Sequence, residues 1–213
     1  MASHPFVSPE ARARLKRAVE SVEGQSAAEV VVSVQPWAAR HRHLDLAAGA
    51  ILAFICLAFM LYVERWAFPL HQFLVGSAVC FVVGAFAFAL ATPVKRLFLL
   101  PSNRAASVGL AAKARFHDLG VSRTRDRSGI LVYVALFEGR AAVVPDVGVL
   151  DGMPKEEWSA MADQVQHAVA SRGVGRRGVE ALAAAIEALG PPLAKVLPRR
   201  GDDVNELADL AED

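Results

Sequence analysis

The sequence contains little cysteine and little net charge. Cys56 and Cys80 are its only cysteines, and both lie inside long apolar runs, so a disulfide framework is excluded. In such runs they act as small apolar residues, which is typical of a protein from a reducing, cytoplasmic-type compartment. The formal net charge is +1, and no basic stripe interleaved with aromatic residues is present. Nucleic acid is therefore not expected as a partner.

The sequence also lacks a secretory signal and the motifs of common nucleophilic enzymes. Residues 1–22 are charged and periodic without an apolar centre, so export through a signal peptide is not expected. The chain has no G-x-S-x-G, P-loop or H-E-x-x-H motif, and no cysteine outside the apolar runs. The sequence therefore offers few candidate catalytic residues.

Two long apolar runs dominate what is present. Residues 46–63 and 73–91 carry no Asp, Glu, Lys or Arg, and only the stretch ERWAFPLHQ separates them. Each run is long enough to cross a bilayer core of about 30 Å. Residues 46–91 are therefore predicted to form an antiparallel transmembrane hairpin, with Tyr62 and Trp66 at the interface and small residues such as Gly49 and Gly84 in the helix contact. A buried hairpin in a soluble protein is the less favoured alternative.

Cations beside the apolar runs predict the orientation of the hairpin. They flank its entry and exit, whereas the turn carries Arg65 beside Glu64. The positive-inside rule then predicts a multi-pass protein of the inner or cytoplasmic membrane, with two spans and with both ends and the soluble domain in the cytoplasm. The flanking cations are Arg40, Arg42, Lys95, Arg96 and Arg104.

The soluble pattern on either side of the hairpin predicts a single discontinuous domain. Ser8 and Pro9 are typical of a helix start, and EVVVSVQP reads as a strand. After the hairpin come a helix capped at Ser102, a strand hairpin near residues 129–136 and 140–145, and two further helices. Neither part can bury its apolar faces alone, so residues 8–36 and 102–197 are predicted to form one α/β sandwich, a small sheet flanked by helices. Residues 198–213 form an acidic tail, either mobile or docked as an extended strap.

The order of these elements resembles the TPM-domain family, and more closely its short bacterial branch. The resemblance is carried by FHDLGVSRTRDRSGILVYVALFEGRAAVVPDVGV, by the tryptophan-containing helix that follows, and by the closing GDDVNEL. It implies a sheet flanked by helices. Some members of that family are reported as acid phosphatases or calcium binders, whereas others act in membrane-complex assembly or receptor regulation without chemistry.

The same resemblance points to three acids as site residues. Carried over to this sequence, they are Asp126 in TRDRSG, Asp146 in PDVG and, as a weaker third, Asp151. With main-chain oxygens from the loops, they would offer ligands for calcium or magnesium. The neighbours Arg125 and Arg127 oppose the binding of a further cation beside Asp126.

Each acid also has a structural interpretation. Asp146 fits an Asx-type turn, in which its carboxylate bonds the backbone two residues on and Gly148 takes a positive φ. Asp151 is placed to cap the helix that opens near Pro154. The residues alone leave both interpretations open.

The favoured function is a membrane-tethered interaction or assembly module with an unidentified protein partner. The alternative is a divalent-metal-dependent phosphatase, with Asp126 and Asp146 as ligands. A third hypothesis is a lipid binder whose helix over residues 8–23 lies on an anionic leaflet. Membrane lipid is an expected partner in all three.

Overall fold

The structure is a computed structural model that describes residues 4–39, 41–63, 68–199, 207 and 210–211. It divides into two units, an α/β domain of residues 1–39 and 101–213 and a hairpin unit of residues 40–100. The chain passes between them at residues 39–40 and 100–101. In chain order the elements are α1 (Pro9–Glu23), β1 (Glu29–Gln35), α2 (Arg42–Tyr62), α3 (Leu70–Leu90), α4 (Thr92–Phe98), α5 (Pro101–Asp118), β2 (Gly129–Ala135), β3 (Arg140–Pro145), α6 (Val147–Gly152), α7 (Lys155–Arg172), α8 (Arg176–Glu187), α9 (Gly190–Val196) and β4 (Leu210–Ala211).

The sheet of the α/β domain has the strand order β3-β2-β1-β4. β1 and β2 are parallel, with Val32 opposite Val132, and β2 and β3 form the predicted antiparallel hairpin. Every residue of β2 is buried, as its nearly continuous apolar run predicts for an interior strand. The small sheet flanked by helices is thus confirmed.

A fourth strand comes from the acidic tail. Leu210 pairs with Val32 in parallel on the outer edge of β1. The pairing at these two positions agrees with the alternative in which the tail is docked as an extended strap. Residues 200–206, 208–209 and 212–213 of the tail lie outside the described residues.

Helices cover both faces of the sheet. On one face, alternate strand residues pack with the apolar sides of α1, α7 and α8, which include Leu15, Val165 and Leu182. On the other face, Val108 and Phe116 of α5 belong to a second cluster with the opposite set of strand residues. This alternation follows from the two-residue period of a strand.

Local signals set several helix ends. The Ser8 hydroxyl accepts a hydrogen bond from the Ala11 N–H and Pro9 occupies the first turn of α1, so the predicted start is confirmed. The predicted cap at Ser102 is wrong, because α5 already begins at Pro101 and Ser102 lies within its first turn. Proline suits that first position because its fixed φ is helical and it lacks the N–H that would be unpaired there.

The domain has a link end, which we define as residues 36–39, 101–104 and 136–140. The Ala38 and Ala39 N–H groups donate to the Glu138 carboxylate in the β2–β3 turn, so the segment after β1 lies at this end. α5 ends near the start of β2, where Gly129 lies close against the Val121 carbonyl. Since α5 is about 27 Å long and β2 about 23 Å, α5 begins at the link end. Residues 124–129 and 145–150 define the opposite, far end.

In the hairpin unit, α2 and α3 pack closely through glycine. A Cβ on Gly49 would lie 2.6 Å from the Phe81 carbonyl oxygen, and one on Gly84 would lie 3.0 Å from the Leu52 Cβ. Larger residues would therefore hold the two helices apart, as the small residues in both runs predict. The tip of the turn, with Arg65 and Trp66, lies outside the described residues.

Outward positions of both hairpin helices are apolar. Phe54 is 71% exposed and Leu70 is 88% exposed. Within each of α2 and α3, an 18-residue stretch has a mean hydropathy of 2.4, and only 6% of that stretch is buried. Two helices are thus long and apolar enough to cross a membrane. Asp45 in the first turn of α2 is ion-paired with Lys95 of α4 at 2.7 Å, so a charge near one end of the hairpin is compensated.

Candidate functional site

The candidate acids lie around one tight loop at the far end of the sheet. Arg127 has a φ of 54°, the only positive φ among the non-glycine residues that the structure describes. The buried Thr124 holds this loop, because its carbonyl accepts from the Arg127 N–H at 3.1 Å and its hydroxyl accepts from the Ser128 N–H at 3.1 Å. A side chain in the left-handed region costs about 1–2 kcal/mol, so the surroundings must hold Arg127 in place.

Asp146 provides much of the interaction that keeps Arg127 in this conformation. Its carboxylate accepts from the Arg127 Nε at 2.9 Å and from Nη2 at 3.2 Å, a two-point ion pair. Only 4% of Asp146 is exposed, and its Oδ1 also accepts from the Val147 N–H at 2.7 Å as the N-cap of α6. The carboxylate therefore links the loop before β2 to the helix after β3.

The predicted Asx-type turn at Asp146 is wrong in its details. The side chain bonds the next residue instead of the second one, and Gly148 is helical without a positive φ. The physical reason is that residues 147–152 form a helix, so Asp146 acts as its cap. Glycine is needed at 148 for space, because a Cβ there would overlap the Asp126 carbonyl oxygen. The Gly148 N–H donates to the Arg127 carbonyl at 3.0 Å.

Asp126 and Asp151 have a different setting from Asp146. Both are exposed residues, and Asp151 lies inside the last turn of α6. The predicted capping of the next helix by Asp151 is wrong, because the N-cap of α7 is Pro154. An earlier helix, capped by Asp146, already contains Asp151.

This geometry gives the predicted calcium or magnesium site no support. Among the described residues, no group of three or more His, Cys, Asp and Glu side chains is arranged to hold a metal ion. The one buried acid of the three, Asp146, already faces the guanidinium of Arg127 and a backbone N–H. A cation would have to displace that guanidinium in order to reach the carboxylate.

The loop and α6 together present a patch with an apolar centre and charged neighbours. Val147 is 51% exposed and Leu150 is 43% exposed, one helical turn apart. Asp126, Arg127 and Asp151 lie beside them in the same loop and helix and are exposed. We call these five residues the α6 patch. The Arg127–Asp146 pair and the close packing of Gly148 hold the backbone of this patch in place.

Glu138 is a buried acid whose role the sequence did not reveal. It is only 1% exposed, and its carboxylate accepts from the Ala38 N–H at 3.0 Å and the Ala39 N–H at 3.4 Å. It therefore ties the β2–β3 turn to the segment that leads to the hairpin unit. In the sequence, Glu138 opens the E-G-R turn between the two predicted strands, and no short motif there indicates that its carboxylate is buried.

Comparison with known proteins shows similarity at the level of the fold. No family model matches the chain, and no curated protein is significantly similar to it. The NMR structure of the BA42 protein from the psychrophilic bacterium Bizionia argentinensis is similar, with 17% sequence identity and a TM-score of 0.55. The match covers 96% of this chain and 92% of that chain. At this identity the similarity concerns the fold alone.

Proposed function

We propose that this is an integral membrane protein whose α/β domain acts as a membrane-held interaction or assembly module. The observation that carries the proposal is the α6 patch, in which two apolar side chains are held exposed on a backbone fixed by a buried carboxylate. An exposed apolar centre with a charged rim is the composition of a protein contact surface. This composition supports a protein as the partner.

The hairpin unit supports the membrane part of the proposal. Large outward side chains of α2 and α3 are exposed, and a bilayer would remove that apolar surface from water. The cations beside the spans support an orientation with the domain and both ends in the cytoplasm, in the inner or cytoplasmic membrane. Lys95 adds little to the positive charge beside the spans, because its ion pair with Asp45 neutralises it.

The position of the α6 patch also favours a partner in solution or on a neighbouring membrane protein. The patch lies at the far end of the sheet, whereas the chain leaves for the hairpin unit at the link end. Within the α/β domain, the linking segments therefore do not cover the patch. A module that brings a partner to the membrane needs such an arrangement.

No observation favours the phosphatase alternative over this module. The carboxylate that would hold the metal ion is paired with Arg127, and the chain contains none of the nucleophile motifs named above. Membership of the TPM-domain family belongs to the proposal as well. Its support is the succession of strand, E-x-R turn, strand and D-x-G, now seen as β2, β3 and the start of α6.

Photo-crosslinking in intact membranes tests the interaction module. A photoreactive amino acid is placed at Leu150 in the patch or, as the matched control, at the exposed Ala184 on α8. We expect a discrete protein adduct from position 150 that is missing from position 184. The same adduct pattern at both positions, or none at position 150, would remove the patch as the contact surface.

Cysteine accessibility tests the orientation. In a chain without Cys56 and Cys80, a membrane-impermeant thiol reagent should label Gln72→Cys, near the start of α3, from outside intact cells. It should label Leu150→Cys only after lysis. The reverse pattern would place the domain outside the cytoplasm.

A further inference from the structure

An open cleft of about 540 Å³ lies between the N-terminal part of α1 and the α7–α8 corner. Its charged lining consists of four arginines and two glutamates, namely Arg14, Arg172, Arg176, Arg177, Glu10 and Glu180. We call it the arginine cleft. The excess of cations in one concave surface contrasts with a net charge of only +1 for the whole chain.

The arginines of the cleft divide into paired and unpaired ones. Arg14 forms ion pairs with Glu180 at 2.9 Å and with Glu187 at 2.6 Å, and the hydrogen bond to Glu187 raises the pKa of Arg14. Arg176 pairs with Glu10 at 3.0 Å. Within the described part of the chain, Arg172 and Arg177 form no ion pair. Two guanidinium groups are therefore available to an external anion.

The cleft lies toward the link end of the domain. Phe6 lines a neighbouring groove with Val34, Pro36 and Leu136, so the N-terminal segment packs where β1 and β2 end. The adjoining residues Pro5 and Ser8 line the arginine cleft itself. Across the cleft, a Cβ on Gly178 of α8 would approach the Phe6 ring at 3.3 Å.

The links to the hairpin unit are short. Residues 36–41 separate β1 from α2, and residues 99–100 separate α4 from α5. At a maximum of about 3.5 Å per residue, the longer link reaches roughly 20 Å. The chain therefore cannot carry the link end further than this reach from the first residue of α2.

We propose that the arginine cleft binds the phosphate group of an anionic membrane lipid, with Arg172 and Arg177 as its principal ligands. Guanidinium groups bind phosphate oxygens in a two-point geometry. The first turn of α8 adds the backbone N–H groups of Arg176 and Arg177, because the N-cap Gly175 has no side chain to accept from them. The Gly178 and Val179 N–H groups already donate to the Gly175 carbonyl. The ion pairs of Arg14 hold α1 against α8, so the walls of the cleft are fixed before the lipid binds.

This site differs from the hypothesis that the helix over residues 8–23 lies on an anionic leaflet. Arg14 of that helix is directed to α8 and forms ion pairs with Glu180 and Glu187 there. The ligands proposed here come from α7 and α8. The proposal rests on the proposed function only for the closeness of the cleft to the bilayer.

The test uses the full chain in a neutral detergent, titrated with phosphatidylglycerol, with phosphatidylcholine or with inorganic phosphate. The readout is the thermal unfolding midpoint, together with hydrogen exchange of the first-turn amides of α8. The test variant is Arg172→Gln/Arg177→Gln. The control Lys113→Gln/Arg123→Gln removes the same charge from two exposed positions outside the cleft.

We expect phosphatidylglycerol to raise the midpoint and to protect the α8 amides. Affinity should fall about 30-fold in the test variant, as two juxtamembrane cations predict, and should stay unchanged in the control. Unliganded test and parent proteins should unfold at the same temperature, because both substituted side chains are exposed. Equal loss of affinity in the two variants would overturn the proposal, since it would indicate attraction by charge alone.

Two other outcomes would also overturn it. If inorganic phosphate produces the same shift, with the same dependence on Arg172 and Arg177, the cleft takes a soluble phosphate compound and not a lipid. If an acidic peptide displaces the lipid at lower concentration, the cleft is a peptide site. Failure of the membrane anchor is distinguishable, because titration in detergent does not need the hairpin to span a bilayer.

Discussion

Replacing Asp146 with alanine separates a structural carboxylate from a metal ligand. Asp146→Ala removes the N-cap hydrogen bond to Val147, which contributes about 1 kcal/mol. It also removes the ion pair with Arg127, which contributes about 0–1 kcal/mol because 55% of the Arg127 side chain is exposed to solvent. The expected loss is therefore roughly 1.5 kcal/mol, or a fall of about 3–6 °C in the unfolding midpoint.

The assay is thermal unfolding of the purified full chain, followed by tryptophan fluorescence, to which the buried Trp158 contributes. Asp146→Asn serves as the matched control, because its amide oxygen keeps the cap and only the ion pair is lost. It should lose about a third as much stability, because only the ion-pair contribution is removed. Both losses should be the same with or without calcium, magnesium or manganese.

A metal-dependent result would refute this reasoning. An ion at 100 times its dissociation constant would stabilise the parent by about 2.7 kcal/mol, which is easily detected. A saturable shift that vanishes in Asp146→Ala would make this carboxylate a metal ligand. The phosphatase alternative would then replace the module, and release of phosphate would be the next assay.

Three further substitutions test other contacts. Arg127→Gly should be more stable than Arg127→Ala by roughly 0.5–1 kcal/mol in urea unfolding. Both variants lose the ion pair, but glycine accepts the positive φ at this position. Equal stability of the two variants would mean that the backbone is not strained. Glu138→Ala should lower the free energy of unfolding by about 1–3 kcal/mol in the same assay, because alanine leaves two N–H groups without their acceptor. Glu138→Gln should lose less. Unchanged stability of Glu138→Ala would contradict the role of Glu138 in holding the Ala38 and Ala39 N–H groups. Gly49→Leu should lower the melting temperature of the hairpin in detergent, measured by circular dichroism, because its Cβ would lie 2.6 Å from a backbone oxygen; unchanged melting would show that the helices do not pack through Gly49.

Elements with strong local patterns were predictable from the sequence. The cap at Ser8 needs only a hydroxyl three residues ahead of an N–H, and β2 needs only an apolar run bounded by turn residues. The β2–β3 turn was also evident, because Gly139 takes a positive φ between two strands. Neighbours along the chain determine each of these features.

Features that depend on distant contacts were not predictable in this way. The pairing of Arg127 with Asp146 joins residues on different elements, and no short motif encodes it. β4 consists of Leu210 and Ala211 only, and two residues show no periodicity. The helix over 147–152 contains glycine and β-branched residues, which favour helix weakly, so the burial of Val149 and the cap at Asp146 decide its formation. This helix is the reason that the role predicted for Asp151 failed.

The central claim is that α2 and α3 anchor an interaction domain in the membrane, and alkaline extraction of membranes tests it most directly. The comparison is between the full chain and a chain in which residues 40–100 are replaced by a glycine and serine linker. We predict that the full chain stays in the membrane pellet, while the shortened chain is soluble and unfolds cooperatively. Release of the full chain into the alkaline supernatant would contradict the account.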